Sequence, residues 1–243
     1  MLDKIYRRTV RPDEDGVFRA GYVVSEYYCE QPLRYIRAAR IIEADIKKLF
    51  EYVDPSEGNL NAFSFKILEL LSRTCFEVEA NLKGILRANG CNKTNLSMTD
   101  YCRVEQSHFL SFYTVAFMEW TGRPKEFVPF EAWKNGGKLD WYRDYNDVKH
   151  DSRQNFDKAN FGNLCKSFTG LVALLSSQFW NEDTVSEDTL LAGGGPKRLH
   201  MFNSSVVSSV KFKFGHEFDV SERYKRVPAR DLSNESFIDF PYA

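Results

Sequence analysis

One short stretch of the chain has the residue types and spacing to act on a phosphodiester. Residues 141–156 read Trp-Tyr-Arg-Asp-Tyr-Asn-Asp-Val-Lys-His-Asp-Ser-Arg-Gln-Asn-Phe. On a helix, Arg143, Asp147 and His150 lie four and then three residues apart and line one polar side. Arg143 and His150 are separated by almost two full turns, so they stand one above the other. A guanidinium can hold phosphate oxygens and stabilise the charge that builds in a transition state. An imidazole, titrating near neutrality, can take the proton of a ribose 2′-hydroxyl or protonate the leaving oxygen. This chemistry calls for no metal and no cofactor. His108, His200 and His216 have no ligand spacing, so no metal site is expected. A competing structural reading makes His150 a partly buried, hydrogen-bonded residue at a helix end and pairs Arg143 with Asp147. Residues 140–158 carry four Lys or Arg against five Asp, a local field that gives a phosphate little help.

These residues need a helix with a buried side, and the pattern provides one: Trp141, Tyr145 and Val148 form an apolar side. Helix is expected from about Leu139, with a break near Asp151 and Ser152, and then on to about Trp180. Phe161, Leu164, Phe168, Leu171, Leu174 and Leu175 keep the helical period there. Upstream, Gln31-Pro32 opens a helix, since proline is tolerated at the first helical position. Leu33, Ile36, Ile42, Ile46, Leu49, Phe50 and Val53 follow at three- and four-residue spacing, until Asp54-Pro55 stops it. A longer helix is expected from about Leu60 to Asn89. Its stripe is Leu68, Leu71, Cys75, Val78, Leu82 and Ile85, and Gly90 is its C-terminal cap. Glu79 and Lys83 are expected to form an exposed pair within that helix.

Between the helices the pattern changes. Residues 91–108 suggest turns and one short helix near Thr99. Phe109 to Trp120 is aromatic and β-branched, which favours strand, and Glu126 to Phe130 is its expected partner, confined to an edge by Pro129. Asn135-Gly136-Gly137 turns the chain back. Residues 1–30 read as an arm or short strand. Residues 181–243 read as a glycine-rich connection around Ala192 to Pro196, followed by a weakly alternating strand at Val206, Val207, Val210, Phe212 and Phe214 and a tail packed on the helices. Between Lys197 and Arg230 stand eight Lys or Arg against Glu217, Asp219 and Glu222, usually the mark of a solvated face. The expected architecture is mainly α, an up-and-down helical bundle with a small β element from an insertion at about 91–138 and the C-terminal segment.

Composition is consistent with a folded chain of this kind. Apolar residues make up 43% of 243, enough for a substantial core. The net charge of −1 draws in neither nucleic acid nor a membrane surface, so any such partner must be recognised locally. The five scattered cysteines contain no Cys-x-x-Cys pair and read as reduced thiols of a cytoplasmic protein. The start lacks a signal-peptide run, and Phe168 to Phe179 is too short to span a bilayer, so no membrane partner is expected.

Arg143, six intervening residues and His150 resemble the Arg-x(4–6)-His motif of HEPN (higher eukaryotes and prokaryotes nucleotide-binding) domains, with Asp144 in the place of the polar residue that often follows that arginine. The aromatic-rich run before a final apolar helix is similar too, as is the preceding helix carrying Glu77, Glu79 and Lys83. The resemblance covers about residues 31–89 and 139–180. It implies a helical bundle that forms a homodimer and brings two Arg-His pairs together. Many active members are metal-independent endoribonucleases of toxin–antitoxin or anti-phage systems, whereas others only bind. On that footing His150 is the expected general acid or base, Arg143 stabilises the phosphorane, and Asn146, Asp147, Lys149 and Glu79 support them. The expected partners are a second copy, RNA, and an antitoxin or other protein. The alternative is a non-catalytic module that binds a nucleotide, an RNA or a protein.

Overall fold

The computed structural model describes residues 1–179, 210–227 and 231–242. Among the described residues there are six α-helices: α1 (Pro32–Phe50), α2 (Phe65–Ala88), α3 (Met98–Tyr101), α4 (Glu105–His108), α5 (Asp140–His150) and α6 (Phe161–Phe179). The strands are β1 (Ile5–Tyr6), β2 (Tyr113–Phe117), β3 (Lys125–Phe127), β4 (Val210–Phe214) and β5 (Phe237–Ile238). The fold is mainly helical with a small β element, as expected.

The centre of the molecule is α6. Nearly every residue on it is buried, including Ser167, Thr169, Ser176 and Gln178. A helix that is apolar on all sides must be covered on all sides, and α1, α2, α5 and β2 provide that cover. Three of its buried hydroxyls are satisfied within the helix: Ser167 donates to the carbonyl of Leu164, Thr169 to that of Cys165 and Ser177 to that of Leu174, whereas the Ser176 hydroxyl has no partner among the described residues. Despite its length, no helix among the described residues is long and apolar enough to cross a membrane.

Helix boundaries follow local capping. The helix expected from Leu60 instead starts at Phe65, because the Ser64 hydroxyl accepts the Ile67 N–H at 3.2 Å and residues 57–59 form a 3-10 turn. At its far end Gly90 takes the left-handed φ of 82°, and the Cys91 N–H returns to the Leu86 carbonyl. The expected break after His150 is real and longer than Asp151-Ser152: the Asp151 carboxylate accepts the N–H groups of Arg153 and Gln154, and α6 begins only after Asn160 caps the Asn163 N–H. Leu33, placed on the inner stripe of α1 by its period, is exposed.

The insertion forms α3, α4, β2 and β3, and β4 from the C-terminal segment completes an antiparallel sheet in the order β3-β2-β4, with Val115 opposite both Phe127 and Phe212. β3 is an edge strand, and Pro129 follows it. The strand expected from Phe109 begins only at Tyr113, after a 3-10 turn at Leu110–Phe112. The arm is more than an arm. β1 pairs in parallel with β5, and Arg8, Thr9, Val10 and Arg11 are buried. The expected Ala192 to Pro196 connection, Val206, Val207 and much of the basic Lys197 to Arg230 segment lie outside the described residues.

Candidate functional site

Helix α5 presents its polar side to solvent because its other side is fixed. Trp141 is fully buried and its indole N–H donates to the Pro129 carbonyl at 2.9 Å. Tyr145 and Val148 are buried against the same chain, where α5 meets α2 and α6. This removes the physical argument for a second copy covering the aromatic side of α5: that side already has its cover. Burial, followed by Cys75 and Glu79, pushes the Tyr145 phenol up to about 12.

The opposite side carries the predicted residues. Arg143 is 62% exposed, and its Nε and Nη2 donate to Asp144 at 3.3 and 3.1 Å. The expected Arg143–Asp147 pair is therefore replaced. Asp144, the next residue, is held in place by the Asn163 amide at 3.0 Å and is the nearer acceptor. Asp147 instead accepts from Lys158 at 2.6 Å, and that hydrogen bond chiefly lowers its carboxyl below the usual range. Lys158 reaches back because the break after α5 folds the chain over its last turn. His150 is the last residue of α5 and is exposed, not partly buried. Lys149 lies over the Tyr145 ring at 5.6 Å. Glu79 does not need Lys83, since it accepts the Tyr142 hydroxyl at 2.9 Å and ties α2 to α5.

Beside this helix runs a groove of about 560 Å3, a volume in the range of small-ligand sites. Met98, Cys102, Trp133 and Tyr142 form its apolar wall, and Arg103 and Asn146 its polar wall. Arg143 and Asp147 also border it, whereas His150 does not. One chain thus places Arg143 on a groove and His150 about two turns further along the same side. Arg103, Trp133 and the 97–106 segment were not predicted as site residues. Their only sequence signal was membership of an insertion, and the groove exists because that insertion folds back against α5.

No group of three or more His, Cys, Asp or Glu arranged to hold a metal occurs among the described residues. Comparison of the chain with protein-family models, with curated proteins and with solved structures finds no match.

Proposed function

We propose that the protein is a metal-independent endoribonuclease of the HEPN type, acting as a homodimer, with His150 as general acid or base and Arg143 as the stabiliser of the phosphorane. The observation that supports this reading best is that Arg143 and His150 are both exposed on one side of α5 while the rest of that helix is anchored by Trp141, Tyr142 and Tyr145. Seven residues rise about 10 Å along a helix, so a single pair straddles a phosphate instead of converging on it. A second copy would bring another pair to the same phosphate. In the proposed reaction the imidazole removes the 2′-hydroxyl proton, the oxygen attacks the adjacent phosphorus, and the 5′-oxygen departs with a proton, leaving a 2′,3′-cyclic phosphate. Asn146 and Asp147 line the groove beside Arg143, and Lys149 is the assisting cation on the same helix.

The experiment is cleavage of a mixed RNA in EDTA by the full chain, alongside Arg143→Ala and His150→Ala. Cleavage with cyclic-phosphate ends that both variants lose supports the reading; no cleavage by the wild type overturns it. A second reading is favoured by one observation, the engagement of Arg143 by Asp144. On that reading the bundle binds an RNA, a nucleotide, an antitoxin or another protein without cutting. RNA retained by an uncleaving wild type and released by Arg143→Ala would then be the expected result.

A further inference from the structure

The groove beside α5 is larger and chemically more varied than a single phosphate needs. Its volume is about 560 Å3, and Arg143 stands at its border. Trp133 and Tyr142, both buried, give it an apolar wall, which the half-buried Met98 and Cys102 extend. That wall is fixed from behind. Glu79 accepts the Tyr142 hydroxyl at 2.9 Å, and the Trp133 ring packs on Phe130 with centroids 4.7 Å apart. An apolar surface held in this way can receive a planar ring without first being ordered.

Polar groups stand beside the wall. Asn146 follows Arg143 by three residues, so the two are neighbours on one side of α5. Its amide is half-buried, makes no side-chain hydrogen bond among the described residues, and offers both donors and an acceptor. Arg103 is held on the groove by the Tyr242 carbonyl, which accepts from Nη2 at 3.2 Å. The local charge stays positive after the ion-pair partners are counted. Arg103, Lys138 and Arg143 line the groove with Asp147, while Asp144 engages Arg143 and Lys158 engages Asp147. Four cations against two anions leave two positive charges. Asp100, on the same segment as Arg103, is matched by Lys93.

We propose that the groove receives one base of the RNA strand whose phosphate Arg143 holds, and so selects the nucleotide bound there, a role that rests on Arg143 holding an RNA phosphate. A nucleobase has an apolar face for the Trp133–Tyr142 wall and a donor–acceptor edge for Asn146. The phosphates that flank it meet the two uncompensated charges. An uncharged apolar ligand would leave those charges unanswered, and a bare anion would leave the apolar wall uncovered. Contacts to phosphate carry no sequence information, whereas contacts to a base edge do, so the roles of Arg143 and of the groove are separable.

The test uses the full chain and four probes, the 2′-O-methyl hexamers of adenosine, cytidine, guanosine and uridine. They lack the 2′-hydroxyl nucleophile, so binding is read whether or not the protein cuts RNA. One hexamer should bind about tenfold tighter than the weakest of the others. Asn146→Ala, and Thr99→Trp, which fills the groove from an exposed position, should each remove most of that preference. Arg143→Ala should instead weaken all four hexamers by a similar factor and leave the preference in place. Equal affinity for the four hexamers, or a preference that survives both groove variants, would overturn the base pocket while leaving the role of Arg143 standing. Affinities that Arg143→Ala does not change, or no binding of any hexamer at millimolar concentration, would overturn the phosphate contact and the pocket with it.

Discussion

The ring of His108 links α4 to the N-terminal arm, with its Nε2 lying 2.8 Å from the backbone carbonyl of Arg8. A carbonyl only accepts, so Nε2 carries the proton and Nδ1 is left to accept from the Ser107 hydroxyl at 2.6 Å. That hydroxyl oxygen lies 2.7 Å from the Tyr242 hydroxyl, which continues the chain of hydrogen bonds into the C-terminal segment.

The first prediction concerns acid. Burial pushes the His108 imidazole down to about 3, well below its ordinary value near 6.5. Between those values the unfolded chain holds a proton that the fold refuses. The stability due to neutral His108 is therefore complete above pH 6.5 and falls as pH drops towards 3, by about 1.4 kcal/mol per pH unit. Urea unfolding of wild type and His108→Gln at a series of pH values checks this, and the variant should have the shallower slope. Equal slopes would refute it.

Gly84 is the second. A Cβ there would lie 1.9 Å from Nη1 of Arg8, a guanidinium held by Gln178 and stacked on Tyr35. Alanine is ordinarily better than glycine in a helix by about 1 kcal/mol. Here overpacking should win, and Gly84→Ala should lose about 1–3 kcal/mol. In an Arg8→Ala background the same change should be neutral or stabilising, a coupling that a double-mutant cycle reads directly.

Tyr142→Phe is the third. It removes the hydroxyl donor to Glu79 and leaves a half-buried carboxylate short of a partner. Chemical denaturation should give a loss of about 1–3 kcal/mol, because hydrogen bonds to charged groups are the stronger kind. A loss much smaller than this would mean that water replaces the phenol at no cost.

The fourth separates chemistry from structure on α5. Arg143 and His150 are exposed, so Arg143→Ala and His150→Ala should each change stability by no more than about 0.5 kcal/mol. Asp144→Asn should free Arg143 and strengthen RNA retention on a filter several-fold. Melting well below wild type in both alanine variants would make the pair structural, and unchanged retention in Asp144→Asn would detach Arg143 from RNA.

The helices were legible because their signals are local. Three- and four-residue spacing marked α2, α5 and α6, and Gly90 and Pro32 marked two ends. What the sequence could not show was competition. Ser64 outbid Leu60 as the start of α2 through a single hydroxyl. Asp144 displaced Asp147 as the partner of Arg143 because Asn163, from the next helix, fixes it and Lys158 occupies Asp147. The exposed Leu33 obeys the period of α1 but lies where no neighbour covers it. The groove beside α5 and the buried Arg8 and Arg11 were invisible for the same reason: each depends on segments far apart in the chain, and an arginine's burial leaves no periodic trace.

The pairing of β1 with β5 has a kinetic consequence. Arg7 and Asp239, which flank it, are 232 residues apart in sequence. Joining them directly in the unfolded chain would require closing a very long loop, with an entropic cost that rises as the logarithm of its length. The contacts within α1, α2 and their hairpin form over much shorter spans, and once α6 packs between them the remaining loop is largely pre-closed. The arm should then dock late. Substitutions at Ile5 or Phe237 should speed unfolding while barely slowing folding, whereas substitutions at Leu71 or Leu171 should slow folding itself.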